Sequence, residues 1–123
     1  MYKVIFYKDS KGSEPLKEYI YGLAKSGETN KNDRIQFQKI MAYVKALETY
    51  GTRIGAPTVK HIDGSIWELR PLENRIFFFY WKDDKFVLLH HYIKKSQKAP
   101  QREIDQARRN MADFIKRSVN YSD

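Results

Sequence analysis

Three runs of strand-forming residues follow one another between positions 65 and 93, and the links between them are too short for anything but hairpins. The runs are 65–71, 75–81 and 86–93, rich in aromatic and β-branched types. Glu73-Asn74 and Asp83-Asp84 supply turn residues between them. Parallel strands need a crossover of a dozen or more residues, so these three pair as an antiparallel meander. In the middle run Arg75, Phe77, Phe79 and Trp81 alternate with Ile76, Phe78 and Tyr80. In the last run Phe86, Leu88, His90 and Tyr92 alternate with Val87, Leu89, His91 and Ile93. Both faces are largely apolar, as suits central strands. Glu68 and Arg70 share a face of the first run, opposite Trp67 and Leu69.

Helical spacing dominates elsewhere. Residues 2–7 read as a first strand. Leu16, Tyr19, Ile20, Leu23 and Ala24 then form one apolar helical face, with Ser13 as its cap, Pro15 in the first turn and Gly27 at the stop. Phe37, Ile40, Met41, Val44 and Leu47 repeat the pattern up to Gly51, with caps available in Thr29 to Asn32. The short link makes the two helices an antiparallel hairpin. Arg53 to Gly64 reads as a loop containing His61, with room for a short strand at 58–61. Pro100 opens a final helix in which Ile104, Ala107, Met111 and Phe114 or Ile115 face the core. The tail from Ser118 to Asp123 is expected to fray. The order β-α-α-β-β-β-α, with antiparallel strands and helices gathered on one side, is an α+β domain.

The 123 residues suit one domain, 1–123. There is no cysteine, which excludes disulfides, thiol nucleophiles and cysteine-based zinc sites. No apolar run approaches the ~20 residues of a membrane span, so a soluble, cytoplasmic protein is expected. The net charge of +8 favours an anionic partner.

The cations gather where chemistry is plausible. Arg70 and Arg75 flank one tight turn, and Lys94, Lys95 and Lys98 follow the last strand. On a curled sheet they meet over one concave face, where guanidinium forks fit phosphate oxygens and lysine adds compact charge. RNA suits such a site because its 2′-hydroxyl is an internal nucleophile, so proximity supplies much of the rate. Cationic side chains then stabilise the charge added to phosphorus. His90, Tyr92 or a lysine would move the proton. No nucleotide-binding glycine loop or GxSxG context occurs, and His90 and His91 point to opposite faces, so they do not chelate one metal.

The run WELRP, then NRIFFFY, then LLHHYIKKSQKAPQREIDQARR resembles the phage-derived Gp49-like branch of the RelE/ParE superfamily, which includes the HigB toxins. The match covers at least residues 66–109. It implies a RelE-like fold, with a curled antiparallel sheet, two N-terminal helices and a C-terminal helix. It also implies the toxin of a type II toxin–antitoxin pair, an mRNA endoribonuclease that cuts in the ribosomal A site without a metal or other cofactor.

Carried onto this chain, the resemblance makes Arg70 and Arg75 the phosphate and transition-state contacts, with His90 or Tyr92 near the scissile phosphate. Lys94 adds charge stabilisation. Lys95 and Lys98 join Glu68 in the RNA-binding set, and Glu68 orients Arg70. The implied partners are ribosome-bound mRNA and a helix-turn-helix antitoxin of the HigA type, through which promoter DNA is reached. Three residues depart from the family pattern: His91 where a small residue is usual, Tyr92 for phenylalanine, and Ala99 for threonine. His91 is read as a neutral surface change. Two other readings stay open: a non-catalytic antitoxin-binding co-repressor, and a ParE-like gyrase inhibitor.

Overall fold

The computed structural model describes residues 1–118. The elements are β1 (Lys3–Phe6), α1 (Pro15–Ser26), α2 (Lys31–Tyr50), β2 (Val59–Asp63), β3 (Ile66–Leu69), β4 (Asn74–Tyr80), β5 (Lys85–Ile93) and α3 (Gln101–Ser118). A single 3-10 turn, Gly51–Ile54, follows α2. The strand expected near 58–61 is β2, and His61 lies on it rather than in a loop. Of the tail expected to fray, only Ser118 lies within the described residues; it is helical and buried.

The sheet runs β1-β5-β4-β3-β2. The meander from β3 to β5 is antiparallel as expected, with β2 added at its edge. Asp83 and Asp84 both adopt positive φ (53° and 58°), the two-residue hairpin geometry that matches strand twist. The sheet as a whole is mixed, not antiparallel, because β1 pairs parallel to β5 from Lys3↔Lys85 to Phe6↔Leu88. The chain between them passes through both helices and the meander, which is ample length for a parallel return.

Helices cover both faces of this sheet, which corrects the one-sided arrangement expected. Leu16 and Ile20 of α1 and Ile40, Val44 and Leu47 of α2 pack on Leu69, Ile76, Phe78, Phe86 and Leu88. Ile104 and Ala107 of α3 pack on Ile66, Phe77, Phe79, Val87 and Leu89. Every residue of β4 from Asn74 to Phe79 is therefore buried. Phe114 packs against the α3-side core while Ile115 faces out, and Met41 is also exposed, outside the stripe assigned to it.

Two helix ends differ from expectation. Ser13 does not cap α1; its hydroxyl donates to Glu18, and Glu14 occupies the cap position without a side-chain bond. Asn30 caps α2 by accepting from the Asp33 N–H at 2.9 Å. Gly27 ends α1 in ordinary helical conformation (φ −65°). Glycine is required there by contact, since a Cβ would sit 2.9 Å from the Cα of Arg34.

A β-bulge changes the faces of β5. Phe77 pairs with His90 but Phe78 pairs with Leu88, so Leu89 is an extra residue on β5. The Leu89 carbonyl accepts from the Asn110 side chain of α3 at 2.8 Å. Phe86 and Leu88 belong to the α1–α2 side, yet His90 and Tyr92 turn to the α3 side. Strict alternation had placed all four on one face; the extra residue breaks it.

Candidate functional site

Arg70, Arg75, Glu68 and Tyr92 converge on the α3 face of the sheet. Glu68 reaches it by alternation with Trp67 and Leu69 on β3, Arg75 by alternation with Ile76 on β4, and Tyr92 by the bulge. The Tyr92 hydroxyl donates to Glu68 Oε2 at 2.9 Å. Glu68 Oε1 lies 3.5 Å from Arg70 Nε and 3.9 Å from Arg75 Nε. Glu68 is only 3% exposed, so it is a buried carboxylate shared by two guanidinium groups and a phenol. Burial, then the Glu68 charge and hydrogen bond, hold the Tyr92 hydroxyl far above its ordinary pKa. Tyr92 therefore stays protonated at physiological pH, with its proton directed at Glu68.

The two arginines differ in access. Arg75 is buried, and its Nη1 donates to the carbonyls of Leu72 (2.7 Å) and Asn74 (2.9 Å). It clamps the turn between β3 and β4, where Leu72 takes a left-handed conformation (φ 57°) that costs a non-glycine residue about 1–2 kcal/mol. Arg70 keeps a quarter of its side chain exposed, and its buried Nε has no hydrogen-bond acceptor, Glu68 being close enough only for charge attraction.

His90 stands beside this cluster. Its Nε2 donates to Glu103 Oε1 at 2.7 Å, and its ring stacks over Phe77, which also packs on Tyr92. Glu103 lies in the first turn of α3, where the helix dipole favours a carboxylate. With Nε2 committed to donation, Nδ1 is the nitrogen of the neutral ring left to accept a proton. The carboxylate fixes both tautomer and ring orientation.

Lys94 follows Tyr92 by two residues, and its N–H donates to the Glu73 carbonyl at 2.8 Å, which ties the end of β5 to the same turn. Lys95 and Lys98 are exposed in the loop leading to α3. Among the described residues, no hydrogen bond or ion pair joins their side chains to the cluster. No group of three or more His, Cys, Asp or Glu suited to holding a metal ion occurs among the described residues. No described helix is long and apolar enough to cross a membrane.

Two participants were not legible in the sequence. Glu103 sits thirteen residues beyond His90, in a helix whose packing had to be known. Asn74, fully buried, is the other. Its Oδ1 accepts from the Tyr19 hydroxyl (2.9 Å) and His91 Nε2 (3.0 Å), and its Nδ2 donates to Gln36 (2.6 Å) and the Pro71 carbonyl (3.2 Å). This network joins α1, α2 and β5 to the turn that Arg75 clamps. His91 is part of it, stacked on Tyr19 at 4.1 Å. It is not the surface change expected; burial, reinforced by the nearby His90, lowers its pKa to about 4.

The model of a protein family described as phage-derived protein Gp49-like matches residues 28–112. The matched segment runs from the link before α2 through the first part of α3 and contains every residue of the cluster. No curated protein matches the chain.

Proposed function

Because this chain belongs to the phage-derived Gp49-like family, which is associated with toxins of toxin–antitoxin systems, we propose that it is such a toxin and acts as an endoribonuclease on ribosome-bound mRNA. Its antitoxin is a helix-turn-helix protein of the HigA type, which neutralises the basic face and carries the pair to promoter DNA. The observation that supports the reading best is the convergence of His90–Glu103 with Arg70, Arg75, Glu68 and Tyr92 beside a lysine-rich loop.

The roles follow from access and protonation. His90 Nδ1 takes the proton of a 2′-hydroxyl as that oxygen attacks phosphorus. Arg70, partly exposed and not hydrogen-bonded through Nε, stabilises the charge added to the phosphoryl oxygens. The P–O5′ bond breaks and the imidazolium returns the proton to O5′, leaving a cyclic phosphate and a 5′-hydroxyl. Glu68, Arg75 and Tyr92 act behind this line by holding Arg70 and the turn. Lys94, Lys95 and Lys98 draw in the RNA backbone.

One observation favours a second reading. Glu68, Arg75 and Tyr92 satisfy one another, as a purely structural cluster would, and a chain that only binds its antitoxin needs no more. Primer extension on one message, minutes after induction, separates the two. Cuts confined to the message with an intact start codon are expected. Absence of cuts with normal growth means a non-catalytic co-repressor; absence of cuts with growth arrest and DNA damage means a gyrase inhibitor.

A further inference from the structure

At the far end of β4 from Arg75, a cavity of about 230 Å³ opens among Tyr2, Arg53, Trp67, Tyr80, Asp84 and Phe86. It lies where the sheet ends, next to the 3-10 turn after α2. Its walls are rings: Tyr2 packs on Phe86 at 5.0 Å, Tyr80 meets Phe86 edge-on at 5.5 Å, and Trp67 completes the lining. Tyr80 is 48% exposed, unusually open for an aromatic at the end of a buried strand. Arg53 is exposed and makes no ion pair among the described residues. Aromatic walls with one uncommitted guanidinium at the mouth suit a flat ring attached to an anion.

We propose that this cavity binds one nucleotide of single-stranded RNA, its base against Tyr80 and Trp67 and its phosphate on Arg53. Stacking on aromatic faces is how single-stranded bases are held without sequence readout, and arginine is the usual phosphate partner. The cavity is too small for a drug-sized molecule but accepts one base. Asp84 at the rim repels phosphate, which assigns the phosphate to the Arg53 side. Tyr80 lies five residue steps along β4 from Arg75, about 17 Å of strand, so the site is a contact distinct from the cluster around Glu68. The choice of RNA as the source of the nucleotide rests on the proposed function; the capacity to bind a nucleotide does not.

The test uses free mononucleotides and the full-length Arg70→Ala protein, so that no cleavage chemistry enters. The two tryptophan indole N–H signals are followed by NMR, with Trp67→Phe identifying which is which. Nucleoside monophosphates are expected to shift the Trp67 indole signal saturably and to leave that of Trp81 in place, with Kd on the order of 1 mM. Tyr80→Ala and Arg53→Ala, both at exposed positions, should each weaken binding roughly five- to fiftyfold. The nucleoside without phosphate should bind like the monophosphate does to Arg53→Ala. No shift at Trp67 with any nucleotide overturns the proposal, as does a shift unchanged in both variants. Because Arg70 is absent throughout, a positive result stands even if primer extension shows no nuclease, and a negative one leaves the proposed function untouched.

Discussion

The Tyr92 hydroxyl donates to Glu68 at 2.9 Å across the sheet, from β5 to β3, passing over β4 between them. Glu68 in turn lies within ion-pair distance of Arg70 and Arg75. One buried carboxylate thus holds the meander together at the end where the cations gather. Breaking a buried pair by removing one partner leaves the other charge desolvated and unmatched. Glu68→Ala is expected to destabilise the fold by about 3–5 kcal/mol, and Tyr92→Phe by about 1.5–3 kcal/mol, the worth of one hydrogen bond to a charged group. Urea unfolding measures both. Equal, negligible losses would show that the cluster is not what holds these strands.

Arg70 and Arg75 flank the same turn but should fail differently. Arg70→Ala removes a partly exposed side chain, so stability should change by less than about 1 kcal/mol while growth arrest on induction disappears. Arg75→Ala removes two hydrogen bonds to turn carbonyls and a charge facing Glu68, so it should lose toxicity and about 2–4 kcal/mol of stability together. Both should still co-purify with the antitoxin at permissive temperature. Full toxicity of Arg70→Ala at equal expression would remove it from the site.

His91 predicts an acid-side loss of stability. Its folded pKa of about 4 lies below the ordinary histidine value, so between pH 6.5 and 4 the unfolded chain binds the proton more readily than the folded one. The stability tied to a neutral His91 is complete above pH 6.5 and falls as pH drops towards 4, by up to about 3 kcal/mol. His91→Gln keeps a donor for Asn74 and has no such titration. Unfolding free energies at pH 7.5 and 5 should converge for the variant and diverge for the parent. Parallel loss in both would assign the effect to other groups.

Gly22 of α1 and Gly27, which ends that helix, make opposite predictions. Gly22 is exposed and an added Cβ meets nothing within 4 Å, so Gly22→Ala should stabilise the helix by about 0.5–1 kcal/mol. Gly27→Ala drives a methyl into backbone at 2.9 Å and should cost about 1–3 kcal/mol by prising α1 from α2. Thermal melts of the two variants should move in opposite directions.

Local chemistry made much of this protein readable from its chain. The Asp83-Asp84 hairpin, a cap for α2 within Thr29 to Asn32, most of the helical stripes and the antiparallel meander each follow from a few neighbouring residues whose preferences agree. The gathering of Glu68, Arg70 and Arg75 also followed, because turn length and two-residue alternation are short-range rules. What lay beyond reach depended on partners distant along the chain. The parallel seat of β1 is chosen by β5, some eighty residues on. The apolar character of both faces of β4 was visible, but only packing decided which helix covered which face. The bulge at Leu89 has no turn residue to announce it; it is stabilised by Asn110 from α3, and it alone brings His90 and Tyr92 to the side of Glu68 and Glu103. Sequence by itself determined which residue types were available for chemistry, since side-chain identity needs no fold. Tertiary structure decided their protonation and access, because desolvation and partner distance exist only once the strands and α3 have met.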